Sequence, residues 1–154
     1  MRIAYFLGGA ALAIGMALAP PAARAQQTIE SLGLTVTTTP LVATDYLFRG
    51  ISQTRNRPAI QGTIDIEHES GVYVGAFVSN ANFAGTNIRQ EVDGMVGYRF
   101  SALGAKFDLG AVYFGYPGYT EPPGGFAAAW WELQARASYE IEPFKLVGLF
   151  AWSP

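Results

Sequence analysis

The stretch Trp131-Glu132-Leu133-Gln134-Ala135-Arg136-Ala137-Ser138-Tyr139-Glu140 alternates strictly between apolar and polar residues. Successive side chains of an extended chain point to opposite faces, so this spacing predicts a β-strand with Trp131, Leu133, Ala135, Ala137 and Tyr139 on one side. Glu132, Gln134, Arg136, Ser138 and Glu140 then occupy the other. Downstream, residues 144–152 repeat the pattern, with Phe144, Leu146, Gly148, Phe150 and Trp152 set against Lys145, Val147, Leu149 and Ala151.

Upstream, the same period recurs. Residues 34–48 put Leu34, Val36, Val42, Tyr46 and Phe48 on one face and Thr35, Thr37, Thr39, Asp45 and Arg49 on the other. Residues 60–68 alternate Ile60, Gly62, Ile64 and Ile66 with Gln61, Thr63, Asp65 and Glu67. Residues 72–80 are apolar on both faces, which leaves their orientation open. Residues 90–100 oppose Val92, Gly94, Val96, Tyr98 and Phe100 to Glu91, Asp93 and Arg99, and Phe107, Leu109, Ala111 and Tyr113 oppose Lys106 and Asp108. No sustained helical period interrupts the series.

Seven alternating segments of roughly ten residues match the length of a membrane-crossing strand, about 9–11 residues. Strands of soluble sandwiches are usually about 5–6 residues long. The connections at 50–59, 69–71, 81–89, 101–104, 117–129 and 141–143 run long, short, long, short, long, short. That is the order of extracellular loops and periplasmic turns in an outer-membrane barrel. Tyr46, Phe48, Tyr113, Trp131 and Trp152 fall near one end of their strands, and Tyr98, Phe100, Phe107, Tyr139 and Phe144 near the other, all on the apolar face. This arrangement predicts two interfacial aromatic girdles. The expected fold is all-β, an antiparallel up-and-down transmembrane β-barrel.

Half of the 154 residues are hydrophobic, 14% are charged, cysteine is absent and the formal net charge is −2. No basic field points to nucleic acid. Met1-Arg2, the apolar run 3–18, Pro20-Pro21 and Ala23-Arg24-Ala25 have the order of a cleavable signal peptide, with cleavage after Ala25. The expected organisation is a signal peptide at 1–25, a short periplasmic lead-in at 26–33 and the barrel at 34–154, in the bacterial outer membrane.

Thr44-Asp45-Tyr46-Leu47-Phe48-Arg49-Gly50-Ile51-Ser52-Gln53-Thr54, followed by Pro58-Ala59-Ile60-Gln61-Gly62, resembles the opening of the TorF porin family. Gly71-Val72-Tyr73-Val74-Gly75, Ser79-Asn80-Ala81-Asn82-Phe83 and Val112-Tyr113-Phe114-Gly115-Tyr116-Pro117-Gly118 look like later landmarks of that family. The resemblance implies an outer-membrane porin passing small hydrophilic solutes, with Thr44, Asp45, Tyr46, Phe48, Arg49, Gly50, Ser52 and Gln53 as its motif. Outer-membrane lipid and the assembly machinery would be its partners. Single-chain barrels have an even strand number, so seven strands imply an N-terminal portion of a larger barrel.

With the apolar faces in lipid, Asp65, Glu67, Glu91, Asp93, Asp108, Glu132, Gln134 and Glu140 would line a lumen, joined by Arg99, Lys106, Arg136 and Lys145. The excess of carboxylates predicts a weak cation preference if the lumen holds water. In a narrow barrel the same charges would pair and fill the interior, leaving a structural or surface-interaction role to the long loops. A soluble periplasmic barrel with a small ligand inside is a third reading. Asp45 and Arg49 lie about 13 Å apart along a strand and must pair with neighbours rather than each other. His68 reads as a turn residue beside Ser70-Gly71, because strand alternation sends it and Glu67 to opposite faces. No nucleophile motif, phosphate loop, cofactor motif or metal-ligand cluster is present in the sequence, so no enzymatic activity is expected.

Overall fold

The computed structural model describes residues 24–153, Phe126 excepted. Its strands are β1 (Ala25–Ile29), β2 (Leu34–Ala43), β3 (Leu47–Phe48), β4 (Ile51–Ser52), β5 (Ala59–His68), β6 (Val72–Asn80), β7 (Gln90–Ala102), β8 (Ala105–Gly115), β9 (Trp130–Ile141) and β10 (Phe144–Trp152). Eight of them form one antiparallel sheet in the order β1-β2-β5-β6-β7-β8-β9-β10, while β3 and β4 make a separate small hairpin. Tight turns join the strands at one end, and the long connections gather at the other. Gly71 shows why one such turn needs glycine: its φ is +94°, and a Cβ there would sit 2.1 Å from the carbonyl oxygen of Arg99.

The registers carry the sequence alternation straight across the sheet. Val78 lies opposite Val92, Val96 opposite Ala111, Tyr113 opposite Trp131 and Leu133 opposite Trp152, all on one face. Thr37 faces Asp65, Phe77 faces Asp93, and Arg99 and Asp108 are cross-strand partners on the other. The orientation of β6 is thereby settled, with Tyr73, Phe77 and Ser79 on the polar face.

Burial is inverted relative to a water-soluble sheet. Glu91, Asp93, Glu132 and Ser79 are buried on the polar face, whereas Val42, Ile60, Phe144 and Phe150 on the apolar face are each about two-thirds exposed or more. The apolar packing lies instead among the long connections, where Ala81, Ile88, Tyr116 and Ala128 form a cluster under Phe83, Tyr119 and Trp130. An uncovered apolar surface of this extent marks an interaction surface rather than ordinary protein exterior.

Several expectations are corrected. The sheet is open: β1 and β10 are its two edges and do not pair with each other. The transmembrane barrel therefore does not hold, and the lumen goes with it. An open edge in hydrocarbon would leave unpaired N–H and C=O groups costing several kcal/mol each. The porin role for small hydrophilic solutes, the filled-barrel alternative, the outer-membrane location and the lipid and assembly-machinery partnerships all fall with the closed barrel. The large sheet holds one strand more than the expected seven, because the lead-in at 26–33 contributes most of β1 and a short 3-10 turn at Glu30–Leu32. The first long strand stops at Ala43 rather than running to residue 48. The signal peptide expected at 1–25 lies outside the described residues except for Arg24 and Ala25, the latter opening β1.

Candidate functional site: a hairpin latched over the polar face

Residues 44–54 form a compact hairpin that folds onto the polar face. The turn between β3 and β4 places Arg49 and Gly50 at φ +50° and +83°, the left-handed pair that a two-residue hairpin turn requires. Asp45 holds the base, accepting from the hydroxyls of Ser52 at 2.7 Å and Thr54 at 2.6 Å. These hydroxyl donors, Thr54 first and Ser52 second, keep its carboxyl below the ordinary range. The Gln53 amide donates to the Tyr46 carbonyl at 2.7 Å, and the Gln53 carbonyl accepts from the Asn82 amide at 2.7 Å, which ties the hairpin to the next long connection. Thr44 lies in the bend that ends β2.

That bend reverses the alternation for two aromatics. Tyr46 and Phe48 were expected on the apolar face as girdle residues, and both instead pack toward the polar face. The Tyr46 hydroxyl donates to Glu91 Oε1 at 2.9 Å, and its ring meets Phe77 edge-on at 5.6 Å between centroids. Phe48 meets Phe114 edge-on at 5.5 Å, and Phe114 in turn stacks on Trp130 at 4.6 Å. The other girdle residues stay on the outer face, where Tyr98, Phe100 and Phe107 stack in a row. Tyr113, Trp131, Tyr139, Phe144 and Trp152 line the same surface.

Arg49 completes the latch. Its guanidinium grips Glu132 on β9 with two parallel hydrogen bonds of 3.0 and 2.6 Å. A planar fork matched to a carboxylate is the stronger kind of ion pair. Glu132 also accepts from Gln134 at 3.2 Å and from the Trp130 indole at 3.4 Å. Burial raises its pKa, but the hydrogen bonds from Arg49 and Gln134 and the Arg49 charge outweigh burial and leave it lowered.

Beneath the hairpin lie Glu91 and Asp93, two positions apart on β7 and 1% and 5% exposed. Glu91 is engaged by Tyr46. Asp93 is not satisfied: its Oδ1 is buried and has no hydrogen-bond partner among the described residues. Burial first, and then the neighbouring Glu91, push the Asp93 carboxyl up to about 8, so it holds a proton at neutral pH. Burial and the same carboxylate raise the Tyr46 and Tyr116 phenols above their ordinary range. Asp93 borders a 660 Å³ concavity whose wall includes Phe48, Phe77, Phe114, Leu149, Gln134 and Arg136.

A second cluster sits nearer the tight turns. Arg99 binds Asp65 at 2.8 and 2.9 Å, Glu67 at 2.5 Å and Asp108 at 3.4 Å, and it lies over the Tyr73 ring at 3.7 Å. The Tyr73 hydroxyl donates to Asp108 at 2.8 Å. The Asp65 hydrogen bonds lead in holding the Arg99 guanidinium charged, against the opposing effect of burial. Four of the expected lumen charges, one arginine and three carboxylates, are thus engaged with one another. Glu140 pairs loosely with Lys106 and Lys145 at 3.7 and 3.5 Å, all well exposed, a geometry that contributes little. His68 Nδ1 lies 2.9 Å from the Ser70 hydroxyl within the turn. Among the described residues no group of three or more His, Cys, Asp or Glu is arranged to hold a metal ion.

Fold and site together define an open antiparallel β-sheet protein with a charged, hairpin-covered inner face and an apolar outer one. The chain belongs to the family described as "Bacterial protein of unknown function (Gcw_chp)", whose model matches residues 27–154. This corrects the resemblance to the TorF porin family drawn from residues 44–62, 71–75, 79–83 and 112–118. No curated protein and no solved structure matches the chain.

Proposed function

We propose that this chain is a non-catalytic binding protein, and that its hairpin-covered concavity takes a small amphiphilic molecule bearing an amine. The carrying observation is the Asp93 carboxyl, buried at the edge of that concavity with one oxygen unpartnered. Buried polar atoms nearly always have partners, and an orphan beside a cavity is the natural seat of a ligand's polar end; an ammonium seated there favours the ionised carboxyl and displaces the proton that the buried acid otherwise holds. The volume falls within the range of small-molecule sites, about 300–1,000 Å³. Aromatic rings at Phe48, Phe77 and Phe114 offer an apolar and cation-tolerant wall for the rest of the molecule. Binding is favoured over catalysis because the hydroxyls nearest the acidic pair are already committed, Tyr46 to Glu91 and Ser79 to the Asn80 carbonyl.

Calorimetric titration with phenethylamine, and with phenethyl alcohol as its uncharged match, tests the reading. The amine is expected to bind and the alcohol to bind at least about tenfold more weakly, with Asp93→Asn abolishing the difference. Equal affinity for the two, or none for either, would overturn it.

A further inference from the structure

Arg136 is a charge without a counterpart on the inner face. It lies on β9 with a strand hydrogen-bonded on either side, Asp108 of β8 opposite it on one and Leu149 of β10 on the other. Leu149 offers no charge, and Asp108 is already committed, accepting from Tyr73 at 2.8 Å and from Arg99 at 3.4 Å. Gln134, its neighbour along the same face, is turned to Glu132. The exposed guanidinium of Arg136 makes no hydrogen bond or ion pair among the described residues. An open arginine fork is matched in shape and charge by a carboxylate.

Arg136 and the acid with the orphaned oxygen, Asp93, line the same 660 Å³ concavity. Asp93 faces Phe114 on β8, Phe114 faces Trp130 on β9, and Arg136 lies six residues further along β9. Six residues of strand and two strand spacings put the two Cα atoms about 22 Å apart. Both side chains reach into the concavity, which brings their charged ends to roughly 13 Å. The diagonal between them crosses Met95 and Val112, cross-strand partners that line the same concavity. The path is therefore acidic at one end, apolar through its middle and basic at the other.

We propose that the concavity takes a linear ω-amino acid, with its ammonium at Asp93, its methylene chain over Met95 and Val112, and its carboxylate at Arg136. This rests on the amine-binding reading of Asp93 and adds the far end and the length of the ligand. An extended chain gains about 1.25 Å per carbon–carbon bond, so about eleven carbons span the two charges.

Calorimetric titration of the full chain compares ω-aminoundecanoic acid with its methyl ester, which keeps the amine and the length and loses the far charge. The acid is expected to bind at least about tenfold more tightly than the ester. Arg136→Gln should abolish that difference and leave the affinity for phenethylamine unchanged, because the shorter amine does not reach Arg136. Arg136→Lys should keep part of the preference, as a point charge without the planar fork. ε-Aminocaproic acid, too short to touch both ends, should bind no tighter than its own methyl ester. No binding of the long acid, or a preference for it that survives Arg136→Gln, would overturn the proposal. Acid and ester bound alike, beside an intact preference for phenethylamine over phenethyl alcohol, would overturn it alone and leave the amine reading standing. Phenethylamine bound no better than phenethyl alcohol would overturn both.

Discussion

Replacing Gly97 with alanine would strike the point where the inner face is most tightly built. Tyr73 lies flat across Gly97 and Gly110, its neighbours on β7 and β8. An added Cβ at Gly97 would stand 2.7 Å from both Cε1 and the hydroxyl of Tyr73, and 2.6 Å from the Leu109 carbonyl oxygen. The backbone oxygen cannot move without breaking the β7–β8 ladder, so the ring must lift. Lifting it breaks the hydrogen bond to Asp108, a charged-acceptor bond worth about 1.5–3 kcal/mol. It also removes the surface under Arg99, worth roughly 0.5–1 kcal/mol at a part-exposed site. Alanine regains about 0.5–1 kcal/mol of backbone entropy relative to glycine. The expected net loss is about 2–3 kcal/mol, read as a lower urea midpoint at unchanged slope. Tyr73→Ser combined with Gly97→Ala should cost less than the sum of the two by at least about 1 kcal/mol, since the clash with the ring is gone. Additive losses, or a Gly97→Ala protein within about 0.5 kcal/mol of the parent, would refute the ring-over-glycine account.

Arg49→Ala should destabilise by about 1–2 kcal/mol, less than a fully buried pair because Arg49 is half exposed, and should speed hydrogen exchange at the Gln53 amide. Unchanged exchange there would mean that the ion pair does not hold the hairpin. The raised carboxyl of Asp93 makes the folded state bind a proton more tightly than the unfolded chain. Its stability is therefore full below about pH 4 and declines as pH rises toward 8. Urea midpoints at pH 5 and pH 8 should differ for the parent and converge for Asp93→Asn, in a window above that of the lowered Glu132. Identical pH slopes in the two proteins would sink this assignment. Leu103 sits at φ +52° in the β7–β8 turn, 98% exposed, so Leu103→Asn should raise stability by about 0.5–1 kcal/mol. A fall in thermal midpoint would contradict it.

Strand positions were legible because side-chain alternation is a local property of extended backbone. Residues 60–68 and 144–152 match β5 and β10 to within one residue. The same periodicity assigned Glu91, Asp93 and Glu132 to one face. Alternation says nothing, however, of whether the first and last strands meet, since closure is a relation between distant edges. It also failed at Tyr46 and Phe48, where the bend after Ala43 breaks the parity and carries both rings to the other side. β1 escaped notice because five residues with three polar ones have too little contrast to read. Tyr73 was missed within a strand apolar on both faces, although Gly97 and Gly110 are the small residues that leave room for its ring.

The hairpin latch bears on the order in which the molecule assembles. Every neighbouring pair in the large sheet beyond β2 and β5 is joined by a short or moderate connection, so the sheet can zip up through local contacts. The Arg49–Glu132 contact instead spans 83 residues and needs β9 in place before it exists. The latch is then a late event, absent from the rate-limiting step. Its removal should accelerate unfolding and leave the refolding rate as it was. The inner face would thus be finished before it is covered, which lets a ligand be enclosed as the last step of folding.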